Sequence, residues 1–368
     1  MIARKHPLRS GSRGDDDTLR SARRLLTAAV LAGGTIGIAR SFSRRLAATR
    51  TARAAVARDL RHPVLLIDFS LSTDRDLALA RRMMGLARRA PAPRGAQARG
   101  SEISDRFVPI GSGDGSGPRV RLHRHRAAAR PSGALLWIHG GGMVMGNPEQ
   151  DDRWLSGLAD DLGILVVSVD YRLAPEHPYP AGLDDCMTAL RWLHDSAEEL
   201  GVDPDRVAVG GASAGGGLAA AVALRARDEG GPPLCFQLLN YPMLDDRTVL
   251  RTDHSGTGAF VWTPASNRFG WTAYLGAEPR DQDDRVHAAP ARAPDLAGLP
   301  PAWIGVGQLD LFHAEDVEYA RRLDHAGVPC ELVDELGMYH AADQLRPNAA
   351  RMRAYRQSML DALRHALT

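Results

Sequence analysis

His139-Gly140-Gly141-Gly142 and, about seventy residues further on, Gly211-Ala212-Ser213-Ala214-Gly215 are the stretches whose reading decides the fold. The first closes an apolar run, Ala134-Leu135-Leu136-Trp137-Ile138, with the continuous hydrophobicity of a buried strand. The second follows Arg206-Val207-Ala208-Val209-Gly210 and opens a small-residue stretch that reads as a helix. A serine on a tight strand-to-helix turn projects its hydroxyl clear of the sheet, at the positive end of the helix dipole. The flanking glycines suit a strained turn packed close to neighbouring strands. A glycine run after a strand offers backbone N–H groups with no side chains in the way, which is what a site for a developing oxyanion requires. Gly-x-Ser-x-Gly arises by chance about 0.2 times in a chain this rich in glycine and carries little alone. His-Gly-Gly-Gly arises about 0.01 times, so the ordered pair weighs against two glycine-rich strand ends without chemistry.

A serine hydroxyl is a poor nucleophile until a histidine removes its proton, and the histidine needs an acid to hold its tautomer. In a strand–turn–helix arrangement of this kind the chain order is serine, acid, histidine, each on a loop after a late strand. Pro301-Ala302-Trp303-Ile304-Gly305-Val306 reads as a buried strand and runs into Gly307-Gln308-Leu309-Asp310, so Asp310 sits at a strand end. Cys330-Glu331-Leu332-Val333 leads into Gly337-Met338-Tyr339-His340, ahead of a final helix. Of the 13 histidines, His313 and His325 flank a helix-like segment, and His254 and His287 lie in irregular stretches. His340 alone combines the right order with a loop after a strand. Glu315 and Asp316 rival Asp310 as the acid, but the reading places them inside a helix with their carboxylates along its outside.

These residues resemble the hormone-sensitive-lipase-like esterases of the α/β-hydrolase superfamily. The resemblance runs from about residue 102 to the end of the chain. It rests on the two glycine motifs, on Asp170-Tyr171-Arg172-Leu173-Ala174-Pro175-Glu176-His177-Pro178-Tyr179-Pro180-Ala181, on Gly298-Leu299-Pro300-Pro301-Ala302, and on Gly337-Met338-Tyr339-His340. It implies an α/β-hydrolase fold with a mostly parallel central sheet, flanking helices and a helical cap. It also implies a carboxylic-ester hydrolase for short to medium acyl chains that uses no cofactor and no metal. Ser213 would be the nucleophile, Asp310 the acid and His340 the base, with the amides of Gly141, Gly142 and Ala214 as the oxyanion hole. His139 would orient the glycine loop, and the Glu176-His177 segment would be a structural wall. Three positions depart from the family's pattern: Ala212 where an acidic residue is common, Met143 in place of an aromatic, and Ala341-Ala342 in place of Gly-Phe. The last two predict a roomier pocket. Amide or lactone hydrolysis on the same triad, and a non-catalytic ligand-binding module of the same fold, are the alternatives.

The 368 residues, 44% of them hydrophobic, suffice for one large core with a small accessory region. The net charge of +2 conceals an asymmetry: residues 1–100 hold 21 Lys+Arg against 7 Asp+Glu, a net of +14, and the remainder a net of −12. Nucleic-acid binding has no motif behind it. Three widely spaced cysteines indicate neither a disulfide framework nor a metal site and read as small core residues. Arg23-Arg24 precede fifteen mildly apolar residues, 25–39, too short for the ~20 of a membrane helix. A twin-arginine signal, an early translation start or a basic amphipathic arm would each fit. The expectation is a poorly ordered arm in a cytoplasmic protein, with membrane association or export as the alternative. The partner expected is a small-molecule ester.

Periodicity divides the rest. Residues 1–60 form the arm and 61–100 cap helices, with helical spacing over 74–89 and a linker at Pro91-Ala92-Pro93-Arg94-Gly95. Residues 101–243 form the first part of the core, opening with hairpin strands around a glycine-rich turn at 111–117. Residues 244–290, polar and aromatic-rich, break the strand–helix rhythm and form a cap insertion. Residues 291–368 complete the core. Strands are expected at 134–139, 164–169, 206–210, 235–240, 302–307 and 330–334, with helices at 182–200, 214–228, 315–326 and 349–366, hence a mainly parallel sheet covered on both faces.

Overall fold

A computed structural model describes residues 52–67, 70–89, 100–109 and 116–368. The apolar stretch at 25–39, the linker at 91–95 and residues 111–115 of the glycine-rich turn lie outside the described residues.

Buried apolar runs form the centre of one sheet, with more exposed strands at its two edges. In chain order the strands are β1 (Ser101–Pro109), β2 (Ser116–His125), β3 (Ser132–Ile138), β4 (Leu165–Asp170), β5 (Val202–Ala212), β6 (Phe236–Asn240), β7 (Ala302–Gly307) and β8 (Cys330–Glu335). The spatial order is β1-β2-β4-β3-β5-β6-β7-β8. β1 and β2 pair antiparallel, as does β2 with β4, and every later pairing is parallel. Every residue of β3 and β7 is buried, the signature of strands covered on both faces.

The helices are α1 (Asp74–Arg89), α2 (Asp152–Leu162), α3 (Ala181–Asp195), α4 (Ala197–Leu200), α5 (Ala214–Asp228), α6 (Pro264–Leu275), α7 (His313–His325), α8 (Ala342–Leu345) and α9 (Ala350–Leu367). α2 is absent from the sequence-based expectation, although Leu155, Leu158, Ala159 and Leu162 recur at helical spacing on its buried face and Gly163 closes it in the left-handed conformation. The helix expected at 182–200 is divided at Ser196 into α3 and α4. α5 carries no amphipathic stripe. Eleven consecutive residues from Ala214 to Leu224 are buried, because it packs beneath the sheet and is covered from outside by other elements.

Residues 52–60, the end of the stretch assigned to the arm, pack on the core. Val56 and Leu60 are buried, the Ala57 N–H donates to Gly337 O at 3.1 Å, and the Tyr339 hydroxyl donates to Leu60 O at 3.0 Å. Cys186 is buried as expected of a core residue, whereas Cys235 and Cys330 are only half-buried. No described helix is long and apolar enough to cross a membrane.

Candidate active site

The three late loops converge. β5 ends at Ala212, and Ser213 takes φ 58° and ψ −123°, backbone that costs a non-glycine residue about 1–3 kcal/mol unless its surroundings enforce it. They do. The Ser213 N–H donates to Asn240 O at 2.9 Å, and Ser213 O accepts from Gly217 and Met243, each at 3.0 Å. The glycine at 215 is dictated by space, since a Cβ there would lie 2.0 Å from Ile138 O.

His340 Nε2 lies 3.0 Å from Ser213 Oγ, and its Nδ1 lies 2.7 Å from Asp310 Oδ2. A carboxylate only accepts, so Nδ1 carries the ring proton and Nε2 is left to accept from the serine hydroxyl. The other carboxylate oxygen of Asp310 accepts from the Phe312 N–H at 3.0 Å. Asp310 is wholly buried, and Ser213 keeps 6% of its surface. The rings of Tyr241 and Phe312 meet the imidazole edge-on at 4.8 and 5.4 Å. Tyr241 is held in turn by Asp343, which accepts from its hydroxyl at 2.8 Å. The sequence reading did not single out either ring, because neither lies within a motif.

Among the described residues, the amides of Gly141, Gly142 and Ala214 donate to no carbonyl or side chain; Ala214 follows the serine, and a Cβ on Gly140, just before the other two, would lie 3.4 Å from Ser213 Cβ. His139 stacks on Tyr171 at 4.4 Å, its Nδ1 lies 2.9 Å from Gly140 O, and complete burial pushes its pKa down to about 4. It is therefore a neutral ring that braces the loop. The Glu176 carboxylate takes two hydrogen bonds from Arg81 of α1 at 2.7 and 2.9 Å, while Arg81 also donates to the carbonyls of Val144 and Ala174. Glu176 thus clamps α1 to the core. Beside this clamp, Arg81, Met84, Asn147 and Leu173 line a cavity of about 400 Å³.

Glu315 and Asp316 correct the sequence reading. Their carboxyl groups point inward, because α7 buries Phe312, Tyr319, Ala320 and Leu323, and the acids occupy the same face. Glu315 accepts from the amides of Leu244 and Asp245 at 2.8 and 3.2 Å and from the Thr248 hydroxyl. Neither oxygen of Asp316 has a hydrogen-bond partner among the described residues. Burial raises both acids well above the usual carboxylate range. Neither acid touches His340, so Asp310 is the acid that the structure brings to the base.

A model of the alpha/beta hydrolase fold matches residues 135–344, more than half of the chain. The chain is an α/β-hydrolase. Its hormone-sensitive-lipase-like character is carried by its relatives. This hydrolase is 44% identical over 214 residues to carboxylesterase NlhH of Mycobacterium tuberculosis, a match covering 56% of the chain and 65% of that protein. It is 40% identical over 207 residues to esterase LipI of the same organism, covering 56% of the chain and 64% of the relative. The chain thus spans just under two thirds of the length of the curated relatives it matches. Among solved structures it resembles a bacterial heroin esterase at TM-score 0.77 and 36% identity, over 86% of this chain and 99% of that one. Esterase LipW of Mycobacterium marinum superposes at TM-score 0.75 and 35% identity, over 86% and 97%.

Proposed function

We propose that this α/β-hydrolase cleaves carboxylic esters of short to medium acyl chain through an acyl-enzyme on Ser213. The observation that carries the reading is the hydrogen-bonded line from Asp310 through His340 to Ser213 Oγ, with the amides of Gly141, Gly142 and Ala214 left without a partner among the described residues. His340 takes the hydroxyl proton as Ser213 attacks the ester carbonyl. The carbonyl oxygen becomes an oxyanion and is stabilised by the amides of Gly141, Gly142 and Ala214. His340, now an imidazolium facing Asp310, protonates the leaving alkoxide. Water then attacks the acyl-enzyme with His340 again as base, releasing the acid and restoring the serine.

The expected substrate is a water-soluble small-molecule ester. Met143 and the small residues after His340 favour acyl chains of roughly four to eight carbons, each buried CH₂ adding up to about 0.8 kcal/mol until the pocket is filled. Emulsified long-chain triglyceride is expected to be a poor substrate, without interfacial activation. A panel of nitrophenyl esters from acetate to palmitate, run beside an anilide and a lactone, tests this. The expected outcome is a maximum between butyrate and octanoate. Turnover of the anilide or lactone above every ester would reassign the leaving group, and failure on the whole panel would favour a ligand-binding module.

A further inference from the structure

Residues 258–262 of the cap insertion touch the loops of the oxyanion amides, the acid and the base. The Gly258 N–H donates to Leu309 O at 3.1 Å, directly before Asp310. The Phe260 ring meets Tyr339, the neighbour of His340, at 5.9 Å between centroids. Trp262 lies against Gly142. A Cβ on Gly142 would fall 2.1 Å from the indole Cη2, so the ring edge fills the space a side chain would occupy there.

Between the two aromatics, Val261 has φ 65°, which is strained for a β-branched residue. The Trp262 N–H closes the turn on Phe260 O at 2.8 Å, a three-residue turn of the rare left-handed kind. The result is that Phe260 and Trp262 both face inward, 4% and 5% exposed, while Val261 between them stays outside. Strain of this kind persists only where neighbours enforce it and is concentrated at functional sites.

Trp262 is itself fixed. Its Nε1 donates to Asn267 Oδ1 at 3.2 Å, one turn into α6. α6 comes down on the same glycine: a Cβ on Gly270 would lie 2.9 Å from Gly142 O. The first cap segment is tied to the start of α6, since the Leu71 N–H donates to Ser266 Oγ at 2.9 Å. Gly142 has φ 63° and no side chain, so its peptide planes could otherwise rotate with little resistance. The indole against its Cα and α6 against its carbonyl remove that freedom.

We propose that Trp262 is a positioning residue for the oxyanion-binding amides, and that residues 258–262 hold the oxyanion, acid and base loops in one register, making the cap a working part of the catalytic centre. The proposal rests on the esterase reading, and its test separates the two. Trp262→Ala, Trp262→Leu and Trp262→Phe are compared with wild type on a butyrate ester and on its thionoester, with kcat expressed per serine titrated by a fluorophosphonate. Sulfur is larger than oxygen and a weaker acceptor, so a well-set oxyanion hole prefers the oxo ester. The expected result for Trp262→Ala is a fall in kcat on the order of 10², with KM within about threefold and the oxo-over-thiono preference collapsing toward unity. Leu should show a smaller change of the same selective kind, and Phe should restore most of both quantities. If Ala does not yield folded protein, Leu carries the test. A folded Ala or Leu variant with unchanged kcat and unchanged preference overturns the proposal. So does a loss of kcat with the preference intact, which would make the ring merely structural. Wild type inactive on both esters would instead overturn the esterase reading beneath it.

Discussion

Two regions of this molecule each hold a serine, a histidine and an aspartate within a few ångströms, and they hold them in different ways. His123 on β2 has its Nδ1 3.1 Å from Ser156 Oγ of α2, and its Nε2 3.7 Å from Asp152. That second distance is too long for a hydrogen bond, and Nε2 has no partner among the described residues. The Asp152 carboxylate is already engaged by Arg121 at 2.7 and 2.9 Å. An imidazolium at His123 would therefore find little stabilisation, and burial pushes its pKa down to about 4. Ser156 sits inside a regular helix, 1% exposed, with no open turn beside it. At the other site Asp310 turns one oxygen to the ring, and Ser213 stands on a strained elbow next to amides that have no partner among the described residues. Residue types and proximity are common to both regions. What differs is which group holds the acid's charge, whether the serine can be reached, and whether anything waits for the oxyanion.

The comparison breaks first on the serines. Ser213→Ala is expected to lower kcat by on the order of 10⁶, with His340→Ala nearly as damaging and the double variant hardly worse, because the pair acts as one unit. Ser156→Ala should leave kcat unchanged and cost only stability, as thermal unfolding would register. A Ser213→Ala enzyme retaining a tenth of the wild-type rate would remove the assignment.

The acids come next. Asp310→Asn should cost on the order of 10⁴ in kcat by favouring the wrong tautomer of His340. Asp152→Asn should leave kcat as it is, and comparing the two under saturating ester decides the matter. Equal losses would erase the distinction drawn from Arg121.

The buried histidines give a pH signature. His123 and His139 have folded pKa values of about 4 against an ordinary 6.5, so between those limits the unfolded chain binds protons that the folded chain refuses. These two rings therefore contribute stability that is full above about pH 6.5 and is lost as pH falls toward 4, by about 3 kcal/mol for each ring at most, while Glu315 and Asp316, raised by burial, contribute in the opposite sense. The signature is therefore a difference: denaturant melts across that window should show His123→Gln losing less stability than wild type as pH falls. A profile as steep in the variant as in wild type would place the proton uptake elsewhere.

The smallest effect belongs to the clamp. Its charge pair is half-exposed, so Glu176→Gln should cost under about 1 kcal/mol and leave kcat intact. A large loss of activity would move Glu176 from the wall of the site into its chemistry.

Much of this was legible in the chain because parallel strands buried on both faces read as unbroken apolar runs. β3, β5 and β7 end at Ile138, Ala212 and Gly307, each shortly before a residue of the site, so the strands also locate Gly141, Ser213 and Asp310. α2 is equally readable from Leu155, Leu158, Ala159 and Leu162, although the strand–helix expectation omits it. Glu315 and Asp316 were misplaced because their charge outweighed their position, although Phe312, Tyr319 and Leu323 mark the same face as buried. The contact of Trp262 with Gly142 had no local signal at all. It depends on a left-handed valine and on packing between segments more than a hundred residues apart in sequence.

Everything proposed for this site runs through a covalent intermediate on Ser213. Mixing the enzyme with a slowly deacylating nitrophenyl ester, quenching in acid and mapping the acyl mass to a peptide tests it directly. The expected result is a burst of nitrophenol close to one per enzyme, with the acyl group on the peptide bearing Ser213 and absent from the Ser213→Ala variant. Turnover with no adduct, or an adduct on the peptide bearing Ser156, would contradict it.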